Sequence, residues 1–263
     1  MSAVRLNRKP TALVTGASSG MGLEYARQLA AAGCSLVMVS NEEEKLRKAA
    51  EELEKEFGIE AIARFADLAL DSAAEDLVKW CDEQGLEIDI LINNAGFFFF
   101  KEMSEELYPK MKAMMQLHTA TPARLCVLLG EKMKQRGCGY IVNMASVAAK
   151  LPVPGITTYS ATKAFLKSFS QSLWYEYRPY GVRVTTVCPG AVATPLYHLK
   201  PSLMKLGCSL GVIKSTKSVV RKALKGVYKG RKTVNPGLMS YYLPPLIYLI
   251  PRRLVCYIWK KIK

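Results

Sequence analysis

Short apolar runs alternate along this chain with amphipathic stretches, and the alternation predicts its secondary structure. Five apolar runs are typical of buried strands, at 11–15, 35–39, 61–65, 88–92 and 140–144. Stretches between them carry apolar residues at helical spacing, as at 20–32 and 42–57. Strands that alternate with helices in this way predict an α/β fold with a parallel, doubly wound sheet.

The composition fits one large α/β domain. The chain has 263 residues, half of them hydrophobic, which is enough for a sizeable core. Its seven cysteines are scattered without a Cys-x-x-Cys pair, so we expect reduced thiols, no zinc site and no other metal centre. Residues 1–10 form a polar, basic lead in which we expect no secretory signal. These features favour a cytoplasmic protein.

A glycine-rich turn joins the first strand to the first helix. It reads Gly16-Ala17-Ser18-Ser19-Gly20-Met21-Gly22. Such a turn lets backbone N–H groups face a phosphate at the helix N-terminus, where the helix dipole also favours negative charge. The spacing differs from the commoner Gly-x-Gly-x-x-Gly fingerprint, and a purely structural turn is the alternative.

The same turn admits a second chemical interpretation. Gly16-x-Ser18-x-Gly20 fits the nucleophile elbow of an α/β-hydrolase. That mechanism needs an acid and then a histidine downstream, and the only histidines are His118 and His198, neither in a convincing loop context. The elbow would also fall on the first strand, very early in the chain, so we rank the hydrolase last.

Three residues after the fifth strand carry candidate acid–base chemistry. Ser146 follows that strand at the edge where open α/β sheets bind ligands, and a Pro/Gly loop then leads into a helix. Tyr159 and Lys163 are four residues apart, so they share one face of this helix. A free tyrosine titrates near pH ~10, and the neighbouring cation is expected to lower that pKa while Ser146 holds a substrate oxygen. The Tyr-x-x-x-Lys spacing also occurs by chance, so its context decides.

Six sites along the chain supply that context. They are Thr15-Gly16-x-x-x-Gly20-x-Gly22, Asp67, Asn93-Asn94-Ala95-Gly96, Ser146, Tyr159-x-x-x-Lys163 and Pro189-Gly190. On these residues, the chain from 11 to about 195 resembles the classical short-chain dehydrogenase/reductase (SDR) family. The resemblance implies one Rossmann-type domain of about seven parallel strands with helices on both faces. We expect residues 196–263 to extend this domain as a C-terminal helical lid. The resemblance also implies hydride transfer between NAD(P)(H) and a carbonyl or secondary alcohol.

The resemblance assigns roles to individual positions. It implies that Tyr159 is the acid/base, that Lys163 lowers its pKa and binds the nicotinamide ribose, and that Ser146 orients the carbonyl. It implies a cofactor site made of Gly16, Ser18, Ser19, Gly20, Met21, Gly22, Asn41, Asp67, Leu68, Asn94, Ala95, Gly96, Tyr159, Lys163, Pro189, Gly190, Val192 and Thr194. At Asn41 the sequence has neither the acidic residue typical of NAD sites nor the arginine typical of NADP sites, so the cofactor form stays open.

One position departs from the family pattern. The family has a fourth catalytic residue, an asparagine that holds a water in the helix after the fourth strand, and His118 aligns with it. His118 either holds a water and changes its charge near neutral pH, or is a packed residue with the relay lost. Loss of the relay would support the alternative to an enzyme, which is a nucleotide-binding regulatory protein with impaired catalysis. Pro122 is expected to disturb this helix further.

Four aromatic residues indicate the substrate. Phe97–Phe100 directly follow Asn-Asn-Ala-Gly, and we expect them to form an apolar wall of the substrate pocket, with a buried loop or an oligomer contact as the alternative. This favours a lipophilic carbonyl or alcohol, such as a fatty-acyl, steroid-like or other lipid compound. The resemblance further implies a homodimer or homotetramer.

The net positive charge lies in the last third of the chain, where 17 Lys and Arg residues but no acidic residue follow Glu176. The preceding residues have a net charge of −2, which gives +15 for the whole chain. Residues 238–250 are apolar but contain Pro244-Pro245 and fall short of the ~20 residues that span a bilayer. Leucines and aromatics beside cations fit an anionic membrane surface, with a plain basic surface over the pocket as the alternative. No recognition motif accompanies the charge, so we expect no nucleic-acid partner.

Overall fold

The computed structural model describes residues 8–194, 213–237 and 239–262. The first seven residues of the expected lead, the first part of the expected lid and His198 lie outside the described residues. Arg8 donates to both carboxylate oxygens of Asp89, at 2.9 Å each. This contact ties the beginning of the described chain to the body of the molecule.

Seven parallel strands form one sheet. They are β1 (Thr11–Thr15), β2 (Ser35–Ser40), β3 (Ala61–Phe65), β4 (Ile90–Asn93), β5 (Gly139–Met144), β6 (Val182–Val187) and β7 (Thr233–Val234). Their order across the sheet is β3-β2-β1-β4-β5-β6-β7. The direction of winding reverses between β1 and β4, and open α/β sheets bind ligands at the carboxyl ends of the strands beside such a point.

Helices cover both faces of the sheet. They are α1 (Gly20–Ala30), α2 (Glu43–Phe57), α3 (Ala73–Glu83), α4 (Tyr108–Met115), α5 (Thr121–Arg136), α6 (Thr157–Tyr177), α7 (Thr216–Tyr228), α8 (Met239–Tyr248) and α9 (Arg252–Ile262). One face of the sheet packs against α1, α2 and α7, and the other against α3, α5 and α6. The predicted doubly wound sheet with helices on both faces is confirmed.

Alternate residues of the central strands divide between two apolar cores. In β4, Ile90 and Ile92 pack on the side of α1, while Leu91 packs on the side of α5. In β5, Val142 and Ile141 divide in the same way. Because successive side chains of a strand point to opposite faces, a strand covered on both sides is apolar throughout. This is why continuous apolar runs, rather than alternation, predicted the strands.

The long helical segment after β4 is interrupted. α4 passes into a π-turn at Gln116–Ala120, in which the N–H of Thr121 donates to the carbonyl of Gln116, and α5 follows. Pro122 has no N–H to donate to the carbonyl of His118 four residues earlier, and its ring clashes with a regular α-turn. The disturbance expected from Pro122 is therefore present, and it falls on His118. Single π-turns are frequent at functional sites.

The end of the chain is helical, as predicted, over the residues of α8 and α9. Within the described ranges, no helix combines the length and the apolar character needed to cross a membrane. The six described cysteines are all free thiols.

Candidate active site

A cleft of about 350 Å³ opens at the carboxyl ends of the strands. Every residue singled out in the sequence for catalysis or cofactor binding lines this cleft, with the exception of Gly22. Six residues that the sequence did not indicate also line it: Ser40, Glu42, Ala66, Leu117, Met144 and Ala145. Each of them lies within two residues of a predicted one, so their place at a strand tip or helix turn was the available signal. No described residue of α7, α8 or α9 lines the cleft.

The glycines of the first turn have distinct functions. Gly16 adopts a φ of 65°, a left-handed conformation that favours glycine. A Cβ on Gly22 would lie 1.9 Å from the carbonyl oxygen of Gly16, so only glycine lets α1 pack against the turn. This explains why Gly22 supports the turn from behind and does not line the cleft. Ser19 and Gly20 at the start of α1 do line it, so the positive end of the helix dipole lies there.

The loop after β4 is fastened to the end of β1. The backbone N–H groups of Asn94 and Ala95 donate to Oγ1 of Thr15 at 2.9 and 3.0 Å. Nδ2 of Asn94 donates to the carbonyl of Thr15 at 3.0 Å. These three bonds fix both strand tips on either side of the point where the winding of the sheet reverses.

Ser146, Tyr159 and Lys163 converge on the cleft. Nζ of Lys163 lies 5.7 Å from the ring centroid of Tyr159, one turn away on α6. Ser146 caps a short 3₁₀ turn, and its Oγ accepts the N–H of Ala148 at 3.1 Å. Because this Oγ accepts from the backbone, its own hydrogen serves as a donor to a ligand oxygen. The arrangement brings a phenol, a hydroxyl and an ammonium to one place.

Lys163 is a buried cation. Its side chain donates from Nζ to the carbonyl oxygen of Met144 at 2.9 Å, at the end of β5. Burial lowers the pKa of Lys163 from 10.5 to about 8. The lysine is therefore still largely protonated at neutral pH and places a positive charge beside Tyr159.

His118 is buried and bonded at both ring nitrogens. Nε2 accepts the N–H of Phe97 at 3.1 Å, so the proton lies on Nδ1, which donates to Oγ1 of Thr162 at 3.2 Å. The Thr162 hydroxyl in turn donates to the carbonyl of Tyr159 at 2.9 Å. Burial, and then the charge of Lys163, lowers the pKa of His118 well below 6.5. This lowered pKa disfavours a charge change near neutral pH, and the two hydrogen bonds favour the packed-residue alternative.

The four consecutive phenylalanines have different surroundings. Phe97 and Phe98 line the cleft, and the ring of Phe98 meets the ring of Tyr159 edge-on with centroids 5.1 Å apart. Phe99 is buried in a small apolar cluster that also contains Tyr159. Phe100 is half exposed. Phe97 and Phe98 therefore form an apolar wall of the cleft, and Phe99 matches the alternative expectation of a buried loop.

The end of the cleft at the tips of β2 and β3 is acidic, because Glu42 and Asp67 line it. Oε2 of Glu42 accepts the hydroxyl hydrogen of Ser18 at 2.8 Å, and Oε1 pairs with Lys45. The hydrogen bond from Lys45 and then that from Ser18 hold the pKa of Glu42 below its ordinary value. This carboxylate is therefore ionised at neutral pH and disfavours a further anion at this end.

Comparison with known proteins establishes the family. A family model described as short chain dehydrogenase matches residues 10–202. The chain belongs to the short-chain dehydrogenase family. Among the relatives of this SDR protein is the very-long-chain 3-oxoacyl-CoA reductase of Rattus norvegicus, 32% identical over 249 residues, which are 90% of this chain and 76% of the relative.

Solved SDR structures share the fold. A short-chain dehydrogenase from Sphingobium yanoikuyae in complex with NADPH gives a TM-score of 0.78 at 30% identity, over 92% of this chain and 96% of that one. The bulky-bulky ketone specific alcohol dehydrogenase from Comamonas testosteroni gives 0.76 at 30% identity, over 92% and 95%. The protein is therefore an SDR oxidoreductase that uses NAD(P).

The cleft fits this cofactor at several points. The glycine turn presents the N-terminus of α1 to an anion, as a pyrophosphate requires. Oγ1 of Thr194 is buried and has no partner among the described residues, so a ligand amide would satisfy it.

The hydrolase interpretation of the glycine turn is wrong. Ser18 donates to Glu42 and not to a histidine. His118 is engaged with Phe97 and Thr162. The family match assigns the turn to a dehydrogenase.

Proposed function

We propose that Tyr159, Ser146 and Lys163 perform the proton transfer in a reaction that interconverts a carbonyl and a secondary alcohol. The observation that supports this proposal is the convergence of a phenol, a hydroxyl and a buried ammonium on one cleft. When bound, the NAD(P)(H) cofactor supplies or accepts the hydride. The protein's part is to hold the substrate oxygen and to exchange its proton.

In the reductive direction, Ser146 donates a hydrogen bond to the substrate oxygen, and the phenol of Tyr159 gives it a proton. The positive charge of Lys163 stabilises the phenolate that remains, because opposite charge favours an ionised group. Met144 holds the ammonium in place through its carbonyl. In the oxidative direction, the phenolate accepts the proton from the alcohol.

His118 acts in this proposal as a positioning residue. Its neutral ring joins the backbone of Phe97 to Thr162, and Thr162 is bonded to the backbone of Tyr159. The imidazole therefore links the apolar wall to the helix that carries the acid/base. No step requires it to gain a proton.

A lipophilic compound is the substrate class that the cleft favours. Phe97 and Phe98 present aromatic surface beside Tyr159, and burial of apolar area contributes about 25 cal/mol per Å². Two relatives are named for a very-long-chain 3-oxoacyl-CoA and for bulky ketones. We infer a fatty-acyl, steroid-like or other lipid ketone or alcohol.

NAD(H) is the cofactor form that the same cleft favours. The ionised carboxylate of Glu42 lies at the end where Rossmann-type sites receive the adenosine ribose. A carboxylate there accepts a hydrogen bond from a ribose 2′-OH and repels a 2′-phosphate. The nearby Lys45 is already paired with Glu42.

Turnover of ketones of increasing chain length tests the substrate class. We expect kcat/KM to rise with chain length, and Phe98→Ala to lower it about tenfold for long ketones, because the wall contributes roughly 1.5 kcal/mol to their binding. Phe65→Ala is the matched control, since Phe65 is exposed at the end of β3 and does not line the cleft. Faster turnover of small polar carbonyls than of long ketones would overturn the lipophilic class.

A further inference from the structure

The exposed apolar surface of this protein is concentrated at its C-terminus. We call residues 239–262, which contain α8 and α9, the C-terminal helix pair. Eight of the 17 large hydrophobic side chains that are exposed in the described residues lie between 241 and 258. Single exposed apolar residues are ordinary, but a contiguous group marks a surface that binds something.

The exposed side chains fall on outward faces of the helix pair. In α9, Leu254, Tyr257 and Ile258 are exposed at i, i+3 and i+4 spacing, while Val255 and Trp259 on another face are partly buried. In α8, Tyr242 and Leu246 are exposed one turn apart. The helix pair thus has one apolar face toward the protein and another toward the surroundings.

Positive charge accompanies this outward surface. Arg253, Lys260 and Lys261 are exposed in α9, and Nζ of Lys261 lies 4.9 Å from the ring centroid of Tyr257. The sequence of the helix pair contains no acidic residue that could neutralise them. The like charges oppose pairing with a second copy, whereas the apolar and basic side chains together complement an apolar layer bordered by anionic head groups.

We propose that the C-terminal helix pair binds the surface of an anionic lipid bilayer. α8 and α9 have 10 and 11 residues, about half of the roughly 20 that cross a bilayer, so they lie in the interface. Tyr242, Leu246, Leu254 and Ile258 enter the head-group boundary, and the lysines and arginine contact the anionic lipids.

The position of the helix pair connects this surface to the cleft. The rings of Trp259 and Phe100 are in contact, with centroids 5.8 Å apart. Phe100 is the last of the four phenylalanines, and the second of them, Phe98, contacts Tyr159. The docked bilayer would therefore lie beside the loop that forms the apolar wall. Membrane binding itself does not depend on the proposed function, whereas direct uptake of a lipid substrate from the bilayer rests on it.

Flotation of the full chain with phosphatidylcholine vesicles, with and without phosphatidylserine, tests the proposal. We expect binding to the anionic vesicles that weakens with salt. The double substitution Lys260→Glu/Lys261→Glu should weaken vesicle binding at least about tenfold, because each cation near an anionic surface contributes to the binding free energy. Leu254→Ser/Ile258→Ser should weaken binding comparably, and both sites are exposed, so folding is preserved.

Arg221→Glu/Lys222→Glu on α7 is the matched control, since it makes the same charge change at exposed positions outside the helix pair. We expect this variant to keep most of the binding. Failure of the wild-type chain to float with anionic vesicles at low salt would overturn the proposal. So would equal losses in the α7 and α9 charge variants, or a dimer in solution that Leu254→Ser/Ile258→Ser dissociates while vesicle binding is absent. Binding is scored without turnover, so it can fail or succeed independently of the enzymatic proposal.

Discussion

Lys163 carries a positive charge that we propose acts in catalysis, and the burial of this charge lowers the stability of the folded protein. Burial lowers its pKa from 10.5 to about 8 in the folded protein. Between these two values the unfolded chain holds more protons than the folded one, so the free energy of unfolding rises with pH across that window. Below pH 8 the folded protein carries the full penalty of the buried charge.

Lys163→Met is therefore expected to stabilise the protein at pH 7 by on the order of 1–2 kcal/mol, while turnover is lost. The relieved burial penalty exceeds the hydrogen bond to Met144 that the variant gives up, which is worth about 1 kcal/mol. Chemical denaturation measures this difference, which should shrink as the pH rises from 8 to 10.5. A variant that is less stable than wild type at pH 7, or a difference independent of pH, would refute this assignment.

Glu42 is the residue on which the proposed preference for NAD(H) rests. Glu42→Gln removes the charge that repels a 2′-phosphate, and we expect the ratio of kcat/KM with NADH to that with NADPH to fall about tenfold, a change of roughly 1.4 kcal/mol. Glu44→Gln, at an exposed position in the first turn of α2, serves as the control and should leave the ratio unchanged. An unchanged ratio in Glu42→Gln would place the preference elsewhere.

Among the elements, the strand tips were the part of the site that the sequence predicted best. Strands covered on both faces leave continuous apolar runs, and polar or glycine residues follow where the run stops, as at Gly16, Asn94 and Ser146. β7 has only two residues, too few for a recognisable run, and it was expected only from the family resemblance. Pro122 indicated a disturbed helix, but the sequence could not tell that a π-turn would place His118 between Phe97 and Thr162.

The buried ring of His118 makes the free energy of unfolding depend on pH. Its folded pKa lies well below 6.5, so below about pH 6.5 the unfolded chain gains a proton that the folded protein does not, and stability falls as the pH decreases. We expect the free energy of unfolding to fall by up to about 1.4 kcal/mol per pH unit because of His118. The substitution His118→Asn should remove this contribution to the pH dependence. Urea denaturation of both proteins between pH 7 and 5 measures the effect. Equal losses in the two proteins would show that another group is responsible.

For the whole molecule, the sequence predicted the fold class and the composition of the cleft, because the motifs sit at strand ends that one parallel sheet must bring together. It could not predict contacts between distant segments. The sequence showed a run of glutamates after Asn41, but only the structure selects Glu42 as the one that enters the cleft. It also showed a basic, apolar C-terminus, whereas the contact of Trp259 with Phe100 depends on tertiary packing. The expected oligomer remains a prediction.

Comparison of the wild-type enzyme with Tyr159→Phe tests the central claim most directly. Cofactor binding and the reduction of a long-chain ketone are measured on both proteins with NADH and NADPH. We predict that Tyr159→Phe binds the cofactor as wild type does and loses turnover by about 10²- to 10⁴-fold, the usual contribution of a general acid. Turnover by Tyr159→Phe near the wild-type rate would contradict the account. Tight cofactor binding by the wild type without reduction of any ketone would instead favour the regulatory alternative.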